Sequence, residues 1–147
     1  MKNNINRIFV FLVLVPLLLS ACAPQPVKAE NPKPAKVEKI DGSTFKRVTL
    51  TEKAAQRLDI QTASVRNELV ETTSQRKVVP YAAVMYGLDG STWVYTNPEP
   101  LVFVRQAIVI DHISGDFAVL KEGPDLDTAV VIVGAAELYG AEVGVSK

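Results

Sequence analysis

The chain has 147 residues, with 16 Lys and Arg against 16 Asp and Glu, one His and one Cys. That balance, with no basic stripe, argues against nucleic acid and against an electrostatic hold on a membrane surface. A single cysteine excludes an intramolecular disulfide, so a folded part of this size has to be stabilised by its apolar core.

The N-terminus carries the most specific signal. Lys2 and Arg7 precede an apolar run over residues 8–19, and Leu19-Ser20-Ala21-Cys22 has the form of a lipoprotein cleavage box. The run is shorter than the roughly 20 residues needed to cross a bilayer, so residues 1–21 read as a cleaved lipoprotein signal peptide. Cys22 is then the expected lipidation site, and its acyl chains the expected link to membrane lipid. Each buried methylene contributes about 0.8 kcal/mol to such an anchor. The expected location is the cell envelope, on the exported face of a membrane. Ala23 rather than Asp after the cysteine does not favour retention at an inner membrane. Loss of Lys2 and Arg7 with the signal leaves the mature chain slightly acidic.

Residues 22–44 read as a lipidated Pro/Lys-rich linker. In residues 23–41 the prolines 24, 26, 32 and 34 alternate with lysines and glutamates, and no apolar period appears. Such a segment favours an extended course of about 3.1 Å per residue, a tether with a reach of up to ~60 Å.

The folded part is expected from Phe45. Residues 47–50 read as a strand, and Thr51 as the N-cap of a short helix over 52–58, with Glu52 at the positive end of its dipole. Asp59 ends it. Residues 60–65 and 69–79 read as strands joined by a turn at Arg66-Asn67-Glu68. Next come two apolar runs, 82–86 and 92–96, around Asp89-Gly90, a dipeptide suited to the positive φ angles of a hairpin turn. Pro80 fits the start of a strand or a crossing between two parts of the fold. After the rigid Asn97-Pro98-Glu99-Pro100 loop, residues 101–110 read as one long strand with apolar residues on both faces. Residues 112–115 read as a turn, 117–120 as a strand, 121–127 as a loop and 128–133 as a central strand. The tail over 134–147 holds Glu137-Leu138-Tyr139-Gly140 and ends in a Val143 to Val145 run suited to closing a sheet edge. The expected class is mainly β: small β-barrel or Greek-key sandwich halves with one short helix, following the signal and a disordered tether.

Reactive groups are sparse. His112 is flanked by Asp111 and Asp116, but reads as a turn histidine rather than a catalyst or metal ligand. Asp125-Leu126-Asp127 lacks the alternating spacing and closing glutamate of a calcium loop and reads as a solvated turn. Met85 is the single mature methionine, too few soft ligands for copper or silver. Glu137 and Glu142 read as surface charges without a matched second group. No nucleophile, catalytic pair or phosphate loop can be named, so no catalytic, cofactor or metal residue is assigned. Trp93, Tyr95, Phe103 and Tyr139 are the candidate interaction anchors, although aromatic residues in strands are more often core.

Three stretches carry a family resemblance. Val79-Pro80, Ala82-Ala83-Val84, Asp89-Gly90 and Trp93-Val94-Tyr95 together resemble a pattern in the periplasmic adaptor, or membrane fusion, subunits of bacterial tripartite efflux pumps. There it marks the passage from the β-barrel domain to the membrane-proximal domain. Val48-Thr49-Leu50-Thr51 through Leu58-Asp59-Ile60-Gln61-Thr62-Ala63 is similar to the segment that opens the adaptor barrel, and VVIVGAAEL over residues 130–138 to its closing segment. The resemblance spans roughly residues 46–145, implying a β-barrel-like part over 45–79 and a membrane-proximal-like part over 80–147. Adaptors also carry a lipoyl-like domain and a helical hairpin that reaches an outer-membrane duct. Neither is encoded here. The resemblance therefore implies a lipid-anchored, non-enzymatic module that binds or modulates an inner-membrane transporter; adaptors form rings, so an oligomer is one option, and the sequence does not give the oligomeric state. The alternative is a stand-alone envelope lipoprotein binding a small ligand or peptide. A shortened remnant of a longer adaptor is a further reading.

Overall fold

In a computed structural model the described residues are 33–70 and 74–144. The signal peptide, Cys22 and the linker as far as residue 32 lie outside them. The fold is mainly β, as expected. Two antiparallel sheets are built from β1 (Ala35–Lys39), β2 (Lys46–Leu50), β3 (Gln61–Ser64), β4 (Arg66–Val70), β5 (Ser74–Pro80), β6 (Met85–Tyr86), β7 (Thr92–Glu99), β8 (Val102–Ala107), β9 (Val109–Ser114), β10 (Phe117–Glu122) and β11 (Ala129–Val133). Among the described residues two α-helices accompany them, α1 (Glu52–Arg57) and α2 (Ala135–Val143).

The larger sheet runs β1-β2-β8-β7-β11-β3, with β6 added to β7, and the smaller runs β4-β5-β10-β9. The larger sheet is covered on both faces. On one, Val48, Leu50, Tyr95, Phe103 and Val131 pack with Ala54 of α1 and Ala135 and Leu138 of α2. On the other, Val94 and Val130 meet Val79, Ala118 and Leu120 of the smaller sheet. Val94 and Tyr95 are both fully buried, because consecutive side chains of one strand serve the two layers.

Several local expectations hold for local reasons. The Thr51 hydroxyl accepts the Ala54 N–H at 3.2 Å, capping α1. Asp59 takes a left-handed conformation (φ 49°) and stops the helix. Met85 pairs with Trp93 and Tyr86 with Thr92, closing the hairpin through Gly90 at φ 81°. The first half of that hairpin is shorter than expected. Tyr81–Ala83 forms a 3-10 turn, leaving only two residues for the strand. Pro80 ends β5 where the chain crosses from the smaller sheet to the larger, a place where its missing N–H costs no ladder bond.

Five expectations are corrected. The tether is ordered earlier than composition implies, since Ala35–Lys39 pairs with β2, Val37 opposite Val48. Its charged Lys36, Glu38 and Lys39 suit a sheet edge as well as they suit a linker. The turn at Arg66-Asn67-Glu68 is instead strand β4, with Asn67 and Glu68 in register opposite Lys77 and Arg76 and an Arg66–Glu68 ion pair at 2.9 Å along its exposed edge. The single strand over 101–110 divides at Ile108 and its halves enter different sheets. The Ile108 N–H donates to the Thr92 carbonyl at 3.0 Å and its own carbonyl accepts the Thr92 hydroxyl at 2.8 Å, which fixes the corner. His112 belongs to β9, and the turn falls at Gly115, whose φ is 56°. The tail over Ala135–Val143 is a helix rather than a strand, and Val145 lies outside the described residues. Ala135, Leu138 and Glu142 repeat at helical spacing, and left-handed Gly144 stops the helix.

The two sheets also do not follow a division at residues 79 and 80. Strands from both sides of that boundary pair within each sheet, as in β2 with β8 and β5 with β10. Residues from Lys33 onward form one compact unit.

Candidate functional site

The most elaborate polar arrangement lies where α2 rests on the larger sheet. Tyr95 and Arg105 are register partners on adjacent strands, so their side chains leave the same face and meet the last turn of α2. There Glu142 is 2% exposed, which corrects its reading as a surface charge. A helix that presents two apolar residues and one carboxylate to a sheet buries all three when the sheet supplies partners. The Tyr95 hydroxyl donates to Glu142 Oε2 at 2.6 Å, and Arg105 Nη2 donates to Oε1 at 2.9 Å. Arg105 Nε stands 2.8 Å from Oε2, close enough for ion pairing although its N–H is not aligned for a hydrogen bond. The Lys46 N–H donates to Oε1 at 3.2 Å, and the Lys46 ammonium caps the Glu142 carbonyl at 3.0 Å.

Aromatic rings enclose the cation. The Arg105 guanidinium lies 4.7 Å from the Phe45 ring centre, 4.9 Å from Trp93 and 5.3 Å from Tyr139. Guanidinium stacking on ring faces is favourable, and more so where water is excluded. A cleft of about 380 Å³ opens beside this cage, bounded by Phe45, Trp93, Tyr139 and the loop over residues 87–91. In that loop Asp89 Oδ1 accepts both the N–H and the hydroxyl of Ser91, at 3.0 and 2.6 Å, which holds its carboxyl below the usual range.

Of the sequence-derived anchors, Trp93, Tyr95 and Phe103 are buried, with Tyr95 wholly enclosed, and Tyr139 is partly exposed on α2. Three of the four are therefore structural, and the arrangement brings Trp93, Tyr95 and Tyr139 together around one ion pair. Cys22 lies outside the described residues. Met85 packs against the helix-side core. Asp125 and Asp127 form a turn in which the Thr128 N–H donates to the Asp125 carbonyl. Glu137 is exposed.

His112 Nδ1 is 3.2 Å from Asp111 Oδ2, and that carboxylate is shared with Lys121 and Arg76 at 3.3 and 3.0 Å. Lys121, Arg76 and His112, in that order, hold the Asp111 carboxyl below its ordinary value. Surrounded by cations, it balances charge on the sheet face. Among the described residues no group of three or more His, Cys, Asp or Glu is placed to hold a metal ion.

Burial, and then the hydrogen bond to Glu142, push the Tyr95 phenol far above its ordinary value of 10.0. A raised native value means that the contribution of Tyr95 to stability is complete below about pH 10 and declines as pH rises beyond it. The chain has four tyrosines. An absorbance titration should therefore show one phenol that ionises only as the fold opens. Tyr95→Phe should leave the reversible amplitude before unfolding unchanged, and a reduced amplitude would contradict this assignment.

Comparison with protein-family models, with curated proteins and with solved structures returned no match. Chemically, the Glu142 carboxylate of this cluster is engaged by the Tyr95 hydroxyl, by Arg105 Nη2 and by the Lys46 N–H. It holds α2 to the sheet and presents no free acid, base or nucleophile.

Proposed function

We propose that this chain is a lipid-anchored, non-enzymatic envelope protein that binds and modulates a membrane transporter, in the manner of a shortened efflux adaptor. The observation that carries this reading is an apolar shelf at the open edge of the smaller sheet. Tyr86, Val109 and Ile113 are exposed there, exposed Tyr81 stands with its ring 6.5 Å from that of Tyr86, and a cleft of about 550 Å³ runs between Tyr86, Val109, Ile110 and Ile113. Contiguous exposed apolar surface marks a protein or membrane contact. Among the described residues strand β9 pairs on one side only, with β10, and carries neither proline nor lysine to blunt its free edge. An acylated Cys22 would hold this body at a membrane face, within reach of an integral partner.

The test is recovery of a transporter with the full-length, acylated chain from detergent extracts after mild crosslinking. Tyr86→Ser combined with Ile113→Ser should reduce recovery about tenfold while changing stability little, since exposed substitutions stay within roughly 0.5 kcal/mol each. Unchanged recovery, or unchanged export of every dye and metal tested in a strain lacking the chain, would remove the proposal. Cys22→Ala should abolish fatty-acid incorporation and release the protein from the membrane fraction.

A further inference from the structure

A third cleft lies on the helix-covered side of the larger sheet, between the two helices. Its volume is about 710 Å³, within the roughly 300–1,000 Å³ of ligand pockets. Its floor is Leu50, Ala54 and Leu58, with the first two buried, and Ala35 and Ala141 stand in its walls. Small side chains on both helices are what keep it open. Gly140 is the clearest case, because a β-carbon built there meets nothing within 4 Å. Lys33 and Arg57 line the same cleft, with Glu137 as the one acidic lining residue. None of these three forms an ion pair among the described residues. An apolar trough with two cations against one anion complements a molecule with a long hydrocarbon tail and a carboxylate head. A neutral lipid would leave both cations unused.

We infer that this inter-helix groove binds a free long-chain fatty acid, its tail over Leu50, Ala54 and Leu58 and its carboxylate toward Lys33 and Arg57. The acyl chains expected on Cys22 are amides and esters without a carboxylate, so the charge pattern favours the free acid over the chain's own anchor. This inference does not depend on a transporter partner.

The experiment supplies a photoreactive palmitic acid analogue to cells making the full-length chain and maps ultraviolet-dependent crosslinks by mass spectrometry. Crosslinks are expected on peptides containing residues 50–58 or 137–141, in the parent chain and equally, per amount of protein, in Cys22→Ala. Gly140→Leu fills the trough from open space and should lower the crosslink yield at least tenfold, with thermal unfolding verifying that the variant is folded. Arg57→Gln, at an exposed position, should lower it about tenfold through loss of a charge-assisted contact. Unlabelled fatty acids should compete about three- to fourfold better with each added methylene until the groove is full. Crosslinks that vanish with Cys22→Ala would show the chain's own anchor in the groove and overturn the inference. Crosslinks that persist in Gly140→Leu, or that never fall on the two helices, would overturn it as well.

Discussion

Glu142→Ala should be the most damaging single polar substitution in this fold, lowering stability by roughly 3–5 kcal/mol, the usual cost of leaving one member of a buried ion pair without its partner. Among the described residues the carboxylate is the one acceptor for the Tyr95 hydroxyl, which sits inside the core away from solvent. It is also the one counter-ion there for Arg105, whose side chain is 14% exposed. Truncation orphans both and removes the anchor of the last turn of α2. The aromatic cage cannot compensate, because stacking on Phe45, Trp93 and Tyr139 contributes about 0.5–2 kcal/mol to a guanidinium that has lost its counter-ion. Chemical denaturation of the parent and of Glu142→Ala measures the loss. A change below about 1 kcal/mol would mean that Glu142 is no more than a surface charge. The pair itself need not be favourable relative to an apolar design. Glu142→Leu combined with Arg105→Leu should therefore lose less than the two single changes together, since neither partner is left charged and buried.

What the sequence reveals of this structure follows the range over which its causes act. The Thr51 cap, the stop at Asp59 and the Asp89-Gly90 turn are decided within a few residues, and each stands where the residues place it. The mainly β class is equally plain, because valine, threonine and aromatic residues recur in short runs throughout residues 45–133. The break at Ile108 is different in kind. Residues 101–110 carry apolar side chains on both faces because the run serves two sheets in succession, and periodicity looks the same for one strand buried twice as for two strands meeting at a corner. The decisive contact is with Thr92, on another strand.

The Glu142 site was less legible still. Tyr95 and Arg105 lie 47 and 37 residues before it, so nothing local distinguishes its carboxylate from that of exposed Glu137. One signal was available. Ala135, Leu138 and Glu142 share a helical face, and a lone arginine interrupts the apolar run over residues 101–110. An acid on an apolar helix face and a base in an apolar strand each call for a buried partner. The glycines at 134 and 144 pointed the same way, as punctuation around a helix rather than a strand.

Those glycines supply the second large effect. Gly134→Val should destabilise the fold by about 2–5 kcal/mol, combining roughly 1–2 kcal/mol for a left-handed residue with a β-carbon and about 1–3 kcal/mol for overpacking. Gly134 has a φ of 90°, and a β-carbon built on it falls against the Ile60 side chain that packs beneath. A β-branched residue is worst at such an angle, because both of its γ-carbons crowd the backbone. The chain must turn here, since β11 ends at Val133 and α2 begins at Ala135. Any backbone shift that relieves the substituted side chain therefore drags Leu138 and Glu142 off the sheet together. Gly140→Ala, in the same helix, should act in the opposite direction and stabilise by about 0.4–1 kcal/mol, because the new methyl meets open space and restricts the unfolded chain. Parallel thermal and denaturant unfolding of the two variants decides the matter. If Gly134→Val unfolds at the same denaturant concentration as the parent, the backbone between β11 and α2 does not require the left-handed turn, and the packing of α2 against the sheet is set elsewhere.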